Sequence, residues 1–382
     1  MQPEGDQQVM CRALVLVAVV GCYRPSTQLC AESGCVDGGD DTDDGMVNDG
    51  PLPDDPPGQF CIGTLPIRPC FAAEPTGTLN LTGFNSDNVA CPFELELAGR
   101  LTCVIAARDI VVPSVTKPHF SGQKPVVIVG VFSIHIEANA ILDLSSTVQV
   151  TPREGAGSQP AACGVGAPGM PNNNQDGAGG GAFATDGSDG GKGAGGMSLE
   201  GGIANPIAFR GGCRGADGEL NNKGGPGGGA VYLISNSIQI DGAIRATGGG
   251  GLGGPESGGG AGGGAGGYIG IDAPTVTYGA NGLLVATGGG GGGGGCMGEV
   301  GTAGRDADTS SNISAIGGPG IAGSGDGGDG ASTRDSPGGN GEDNAAATCA
   351  GGGGGGGLGT IQYFHGVTCP AARCHPAAVT NP

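Results

Sequence analysis

Fourteen cysteines are the residues of this chain best suited to covalent chemistry. An even set in an exported chain reads as a disulfide framework. Setting aside Cys11 and Cys22, near the start, leaves twelve. Local spacing suggests Cys30–Cys35, Cys61–Cys70, Cys91–Cys103 and Cys369–Cys374. Cys163–Cys213 and Cys296–Cys349 would then staple two long glycine-rich segments. Cys369, Cys374 and His375 are also donors for a metal, but a closed tetrahedral site needs a fourth ligand. None stands nearby in the sequence, so a structural bridge is expected there and no metal site.

Other constellations are weaker. Ser, His and Asp all occur, but none sits in a nucleophile motif such as G-x-S-x-G. A phosphate loop fails at Lys192, which is followed by Gly193 where Ser or Thr is required. G-x-G-x-x-G recurs throughout the glycine tracts without a helix to follow it. The tracts lack the strict G-X-Y period of collagen. GGCRGADGE and GDGGDGAST are loose echoes of calcium-binding nonapeptides, which need tandem copies. No catalytic residue and no cofactor is expected, and an enzymatic role is the weaker reading.

At the start, the apolar run Ala13–Val20 is too short to span a bilayer permanently. It precedes V-V-G-C (Val19–Cys22), which resembles a bacterial lipobox. That resemblance implies cleavage before Cys22 and a diacylglycerol on its sulfur. Met10 is the expected start, giving Arg12 as the positive charge of the signal. Tyr23, rather than Asp, follows the lipidated position, which favours the outer membrane. Residues 1–21 are therefore read as a lipoprotein signal peptide. Residues 22–59, acidic and rich in Pro and Gly, are read as a disordered linker.

The elements that must position any site come from a repeat. Gly229–Gly251, GAVYLISNSIQIDGAIRATGGGG, returns at Gly267–Gly291 as GYIGIDAPTVTYGANGLLVATGGGG. Pro125–Ser146 is an earlier copy, TCVIAARDIVVP a fainter one, and LGTIQYF a partial copy that ends the series. Aligning Ser133, Ser237 and Thr275 places Val127, Val231 and Ile269 in one column, and Val129, Leu233 and Ile271 in the next. Ile134, Ile238 and Val276 follow, then Ile136, Ile240 and Tyr278, then Leu142, Ile244 and Leu284. His135, Gln239 and Thr277 must face outward, because strand side chains alternate with period two. Glu137, Asp241 and Gly279 align, as do Asp143, Arg245 and Val285. These polar positions are expected to be solvated surface, and Tyr232, Tyr268 and Tyr278 to be stacked core aromatics.

One such copy cannot bury its apolar face, but stacked copies share a core. The expected fold is all-β, a right-handed parallel β-helix or solenoid with glycine-rich inserts at one corner. The inserts are residues 147–228, 248–266 and 288–357, each leaving after the third strand of a copy. Residues 60–101 form an N-terminal cysteine-containing cap, 102–365 the solenoid, and 366–382 a cysteine-containing tail. The inserts are either flexible coil or extended polyglycine helices packed side by side.

The net charge of −20 and pI near 4.3 argue against nucleic acid as a partner. The order FCIGTLPIRPC (Phe60–Cys70), CVIAARDIVV, KPVVIVGVFSIHIEANAILDLSS, then PAACGVGAP around Cys163 and A-T-G-G-G strand ends, resembles uncharacterised glycine-rich secreted proteins and lipoproteins of myxobacterial type. The similarity covers about residues 60–365. It implies a pectin-lyase-like parallel β-helix body and an envelope location, not a reaction. The expected role is a lipid-anchored structural or adhesive protein of the outer membrane or cell surface. Its expected partners are the membrane, through Cys22, and extracellular polysaccharide or other envelope proteins. A polysaccharide-binding or polysaccharide-cleaving protein, and a divalent-cation-binding surface protein, are the alternatives.

Overall fold

Short aliphatic strands from successive copies of the repeat lie side by side in parallel. The computed structural model describes residues 57–87, 91–148, 152–159, 163, 175–193, 200–202, 209–219, 222–307, 313–333, 338–345 and 348–380. Its strands begin with β1 (Phe60–Cys61), β2 (Cys70–Phe71), β3 (Thr78–Asn80), β4 (Phe93–Leu97), β5 (Arg100–Val112), β6 (Val126–Ile136) and β7 (Ile141–Asp143). They continue as β8 (Ala230–Ser235), β9 (Ser237–Ile240), β10 (Ala243–Arg245), β11 (Tyr268–Asp272), β12 (Thr275–Tyr278) and β13 (Leu283–Val285). Last come β14 (Thr360–Tyr363), β15 (Cys374–His375) and β16 (Val379–Thr380). The fold is all-β and mostly parallel, with no α-helix among the described residues.

Three parallel stacks result. The first runs through the front half of β5 and β6, then β8, β11, β14 and β16. The second takes β3, the back halves of β5 and β6, then β9 and β12. The third is β7, β10, β13 and β15. Ile136, Ile240 and Tyr278 share one column, and Leu142, Ile244 and Leu284 another, as the repeat alignment requires. These columns converge on one core with Ile134, Ile238, Leu233 and Ile271.

One pair of columns needs correction. Val126, not Val127, pairs with Val231, and Ile128, not Val129, pairs with Leu233. β6 carries an extra residue between Gly130 and Ser133, where β5 has only Arg108 between the paired Ala107 and Asp109. The run VVIV has no polar phase to set its register. Both its faces are buried, because Val127 and Val129 join a second core with Tyr232, Ile234, Phe183 and Phe209. Phe183 and Phe209 come from the first insert, and Ile62, Ile67 and Phe71 from the β1–β2 hairpin segment, so these elements cover the sheet's outer face.

The series also extends past both expected ends. LGTIQYF is not the last copy: β15 adds to β13 and β16 to β14. Two-residue strands are too short to show alternation, which is why the tail reads as irregular in sequence. At the other end, β3 adds in parallel to β5 ahead of residue 102; within the expected span, the Ile141 and Asp143 N–H groups donate to Thr116 and Pro118 and His119 bridges Asp143, so residues 116–119 add a further parallel rung to the third stack. The β4–β5 hairpin runs across residue 101, where a cap boundary was expected.

The glycine-rich inserts are packed, not free coil. Gly288, Gly291 and Gly294 donate to Ala331, Gly328 and Gly325 at 2.8–2.9 Å. Gly289, Gly292 and Gly295 donate to Gly264, Ala261 and Gly258 at 2.8–3.0 Å. Gly290 and Gly293 donate to Arg305 and Thr302 at 2.9–3.0 Å. Each third residue thus faces the same neighbouring segment. A three-residue turn is that of an extended polyproline-type helix, which alone has no internal hydrogen bonds. Bundling such helices gives the backbone groups partners without water. Glycine is required where the segments touch: a Cβ on Gly263 would lie 2.8 Å from the Gly289 carbonyl carbon and closer still to its oxygen.

Much of the acidic surplus of the inserts serves the same array. Asp306 Oδ1 accepts the Val148 and Gly250 N–H groups at 2.9 Å. Asp329 takes the Gly317 N–H at 2.8 Å, Asp326 that of Gly320 at 2.6 Å, and Asp217 that of Gly224 at 3.0 Å. The aspartates in the two calcium-like echoes are therefore engaged by the glycine backbone. Among the described residues no cluster of His, Cys, Asp or Glu is grouped to hold a metal.

Candidate functional site

Five cysteine pairs are bonded: Cys61–Cys70, Cys91–Cys103, Cys163–Cys213, Cys296–Cys349 and Cys369–Cys374. Cys369 and Cys374 are thus bridged rather than open as ligands beside His375. Cys22, Cys30 and Cys35 lie outside the described residues. Tyr232 and Tyr268 stack at 6.5 Å with Phe209 edge-on to both, inside the second core. Burial raises both phenols above their ordinary range. Tyr278 is half-buried against Tyr363, hydroxyl to hydroxyl. These tyrosines are structural and offer no open sugar platform.

His135, Gln239 and Thr277 do share an outward row. Asp241 turns back over it, 2.9 Å from His135 Nε2 and accepting from Gln239 Nε2 at 2.7 Å. Glu137 instead accepts the Ser114 N–H. The two carboxylates therefore have separate partners and do not make an acid–base pair.

The third stack carries the more developed site. Leu142, Ile244, Leu284 and Cys374 point into the core, so the residues on either side of them face out. Register then defines two outward rows. One reads Ile141, Ala243 and Leu283, with Lys117 one rung before and Arg373 one rung beyond. The other reads His119, Asp143, Arg245, Val285 and His375. The first row with Lys117 and Arg373, Arg245 and His375 of the second, and Asn139 and Asn281 at the neighbouring turns line an open groove of about 760 Å³. Lys117, Arg245, Arg373 and His375 all line it, and no Asp or Glu does among the described residues. In a chain with 16 Lys and Arg against 36 Asp and Glu, this is a local reversal of charge.

The same rows fix the electrostatics. Asp143, expected to be solvated, is buried under the groove's end. Arg153 Nη2 donates to its Oδ2 at 2.7 Å, the Ser145 N–H to its Oδ1 at 3.0 Å, and His119 Nδ1 stands 3.8 Å off. Burial pushes the Asp143 carboxyl up; His119, Arg153 and the Ser145 N–H outweigh it and hold the carboxyl below its usual range. Asp143 is thereby committed to Arg153. Arg373 is held in place by donating to the Ala280 and Gly282 carbonyls at 2.7 and 3.4 Å. Burial lowers the His375 imidazole below its ordinary value, so at neutral pH it is an uncharged donor and acceptor.

Lys117, Arg153 and Arg373 escape a reading by repeat, because Lys117 and Arg373 lie in irregular segments that add rungs without showing the pattern. Their rarity in an acidic chain was the available signal. A second missed cluster is buried: Asp272 accepts the Thr64 N–H and Oγ1 at 2.7 and 2.9 Å and the Tyr232 hydroxyl at 3.2 Å, and lies 2.7 Å from His365 Nε2. It ties the segment between β1 and β2 to the sheet, and no Ser or Cys nucleophile appears in it. Comparison with protein-family models, curated proteins and solved structures gives no match.

Proposed function

We propose that this chain is a non-catalytic structural or adhesive protein of a bacterial envelope. In this reading Cys22 carries a lipid in the outer membrane, the strands wind as a right-handed parallel β-helix, and the bundled inserts form a rigid slab along one corner. The observation that carries it is the array itself: residues 288–295 donate along their whole length to neighbouring segments. Backbone packing of this density gives stiffness and resistance to proteases without presenting a reactive constellation. The bridges Cys163–Cys213 and Cys296–Cys349, inside the inserts, suit an oxidising compartment.

The test expresses the full chain, wild type and Cys22→Ser, in a Gram-negative host that sorts lipoproteins. The wild type is expected in the outer-membrane fraction with a diacylglyceryl mass increment, and Cys22→Ser in the soluble fraction. Proteinase added to intact cells is expected to remove the protein if it faces outward. A wild type without lipid mass, or a mutant that still sediments with membrane, would overturn the anchoring.

A second reading, a polysaccharide-binding protein, is favoured by one observation: the carboxylate-free cationic groove on the third stack.

A further inference from the structure

The outer layer of the glycine-rich array contains three extended segments side by side: residues 299–306, 313–320 and 325–331. Thr302 and Arg305 donate to the Pro319 and Ile316 carbonyls at 3.1 and 2.9 Å, and Gly327 and Gly330 to Gly318 and Ala315 at 2.8 Å. Gly304, Gly318 and Gly328 donate inward, to Gly251, Gly291 and Gly353. Every third residue therefore faces out, one step being about 9 Å along the segment. The first segment presents Thr302 and Arg305, the second Ile313, Ile316 and Pro319, the third Asp326 and Asp329, all exposed.

An apolar ridge, with Ile313 60% and Ile316 50% exposed, thus runs between a row that holds a cation and a row of carboxylates. Hydrogen bonds set the three rows in step. Arg305 is level with Ile316, and Asp329 Oδ1 accepts the adjoining Gly317 N–H at 2.8 Å. Thr302 is level with Pro319, and Asp326 Oδ1 accepts the adjoining Gly320 N–H at 2.6 Å.

We infer that this face pairs with the same face of a second copy of the chain, about a twofold axis running along the ridge. Such an axis turns the ridge onto itself and keeps every residue at its own height. It carries the first row of one copy over the third row of the other. Ile316 then meets the partner's Ile316, and Pro319 the partner's Pro319. Arg305 meets the partner's Asp329, and Thr302 the partner's Asp326, each twice by symmetry. Oδ1 of each aspartate serves its own backbone amide, and a carboxylate has a second oxygen for the new donor. An axis across the ridge would instead set carboxylates on carboxylates, so the charge pattern selects the axis. Isologous contacts of this kind close at two copies.

The face is small, at the low end of specific interfaces, and the dimer is expected to dissociate on the order of 10 μM. A net charge of −20 repels other orientations of the two copies. The inference goes beyond the structural reading; it rests on the packed array and not on the lipid anchor.

The test is sedimentation velocity of the purified full chain in a Cys22→Ser background, so that no lipid drives association, over concentrations spanning that value. A monomer–dimer equilibrium is expected, weaker as salt rises. Arg305→Glu sets two like-charge pairs across the axis and should weaken the dimer by roughly tenfold or more. Ile316→Asp, which brings two carboxylates together on the ridge, should do the same. Asp329→Arg should also be monomeric alone, yet form a heterodimer when mixed with Arg305→Glu, because every facing pair is then of opposite charge. Gln239→Ser, on the second stack, should change nothing. Should Asp329→Arg unfold for want of the Gly317 acceptor, Arg305→Glu and Ile316→Asp still decide. A parent chain that stays monomeric, or a dimer indifferent to Arg305→Glu or Ile316→Asp, would overturn the inference and leave the ridge to another occupant. A mixture that associates no better than its components would do so too. Amide exchange across 288–295 separates the two failures: protection without a dimer leaves the array standing and removes only the pairing.

Discussion

Gly263→Ala adds one methyl group at a place where the structure has none to spare. The new Cβ would meet the Gly289 carbonyl carbon at 2.8 Å and the Gly290 carbonyl carbon at 2.9 Å, where ordinary contact begins at 3.4 Å. The two segments must part by about 0.6 Å at the carbons, and by more at the nearer Gly289 oxygen. Both obstacles are backbone, so no side chain can swing aside. Parting them strains the bonds from Gly289 N–H to Gly264 and from Gly292 N–H to Ala261, now 2.9 and 2.8 Å. Overpacking of this kind costs about 1–3 kcal/mol, and each weakened buried hydrogen bond adds about 1 kcal/mol. Against this, replacing Gly by Ala restricts the unfolded chain and stabilises by about 0.4–1 kcal/mol. The net expectation is a loss of about 2–5 kcal/mol, read as a lower denaturation midpoint with unchanged slope. If the tract were coil, only the unfolded-state effect would remain and the sign would reverse. A midpoint equal to or above the wild type's would refute the packing argument.

Three further outcomes follow from the same structure. Ile240→Asp puts a carboxylate at a fully buried position and should cost several kcal/mol, while Gln239→Ser, one residue away and outward, should stay within about 0.5 kcal/mol, both read by chemical denaturation. Asp143 has a folded-state pKa below its ordinary 3.8, so its stabilisation is present above the unfolded value and is lost as pH falls through the folded one. Asp143→Asn should therefore be destabilising at pH 7 and lose that difference in strong acid, as a stability–pH profile would record. Replacing Cys163 and Cys213 together by Ser opens a loop of 50 residues and should cost about 2–5 kcal/mol, seen also as faster cleavage of the first insert by protease.

What could be read from the sequence followed the strength of its periodic signal. In Ser237–Ile240 a polar residue alternates with an aliphatic one, and there the register with β6 and β12 is legible residue by residue. In VVIV it is not, because both faces are apolar and an added residue in β6 shifts the phase. The last rung was invisible because Cys374–His375 is held by register to β13 and not by any pattern of its own. For the inserts, composition posed the choice between coil and bundle but could not make it, since glycine both frees the backbone and permits close approach. The groove escaped for a related reason: Lys117 and Arg373 come into one outward row only through the stacking, with most copies of the repeat between them in sequence. Asp143 was misread as surface because its partner Arg153 lies beyond the strand that holds it.

Amide hydrogen exchange across Gly288–Gly295 tests the packed array most directly. Every N–H in that run donates to a neighbouring segment and is buried. Opening any one of them requires the array to come apart, so exchange should be protected by orders of magnitude, close to that of β8 and β11 in the core. The adjacent runs 260–267 and 350–357 should behave alike, because each of their amides also donates to a carbonyl of a neighbouring segment. Exchange at the rate of an unfolded peptide across these runs would contradict the array and, with it, the rigid slab on which the proposed role rests.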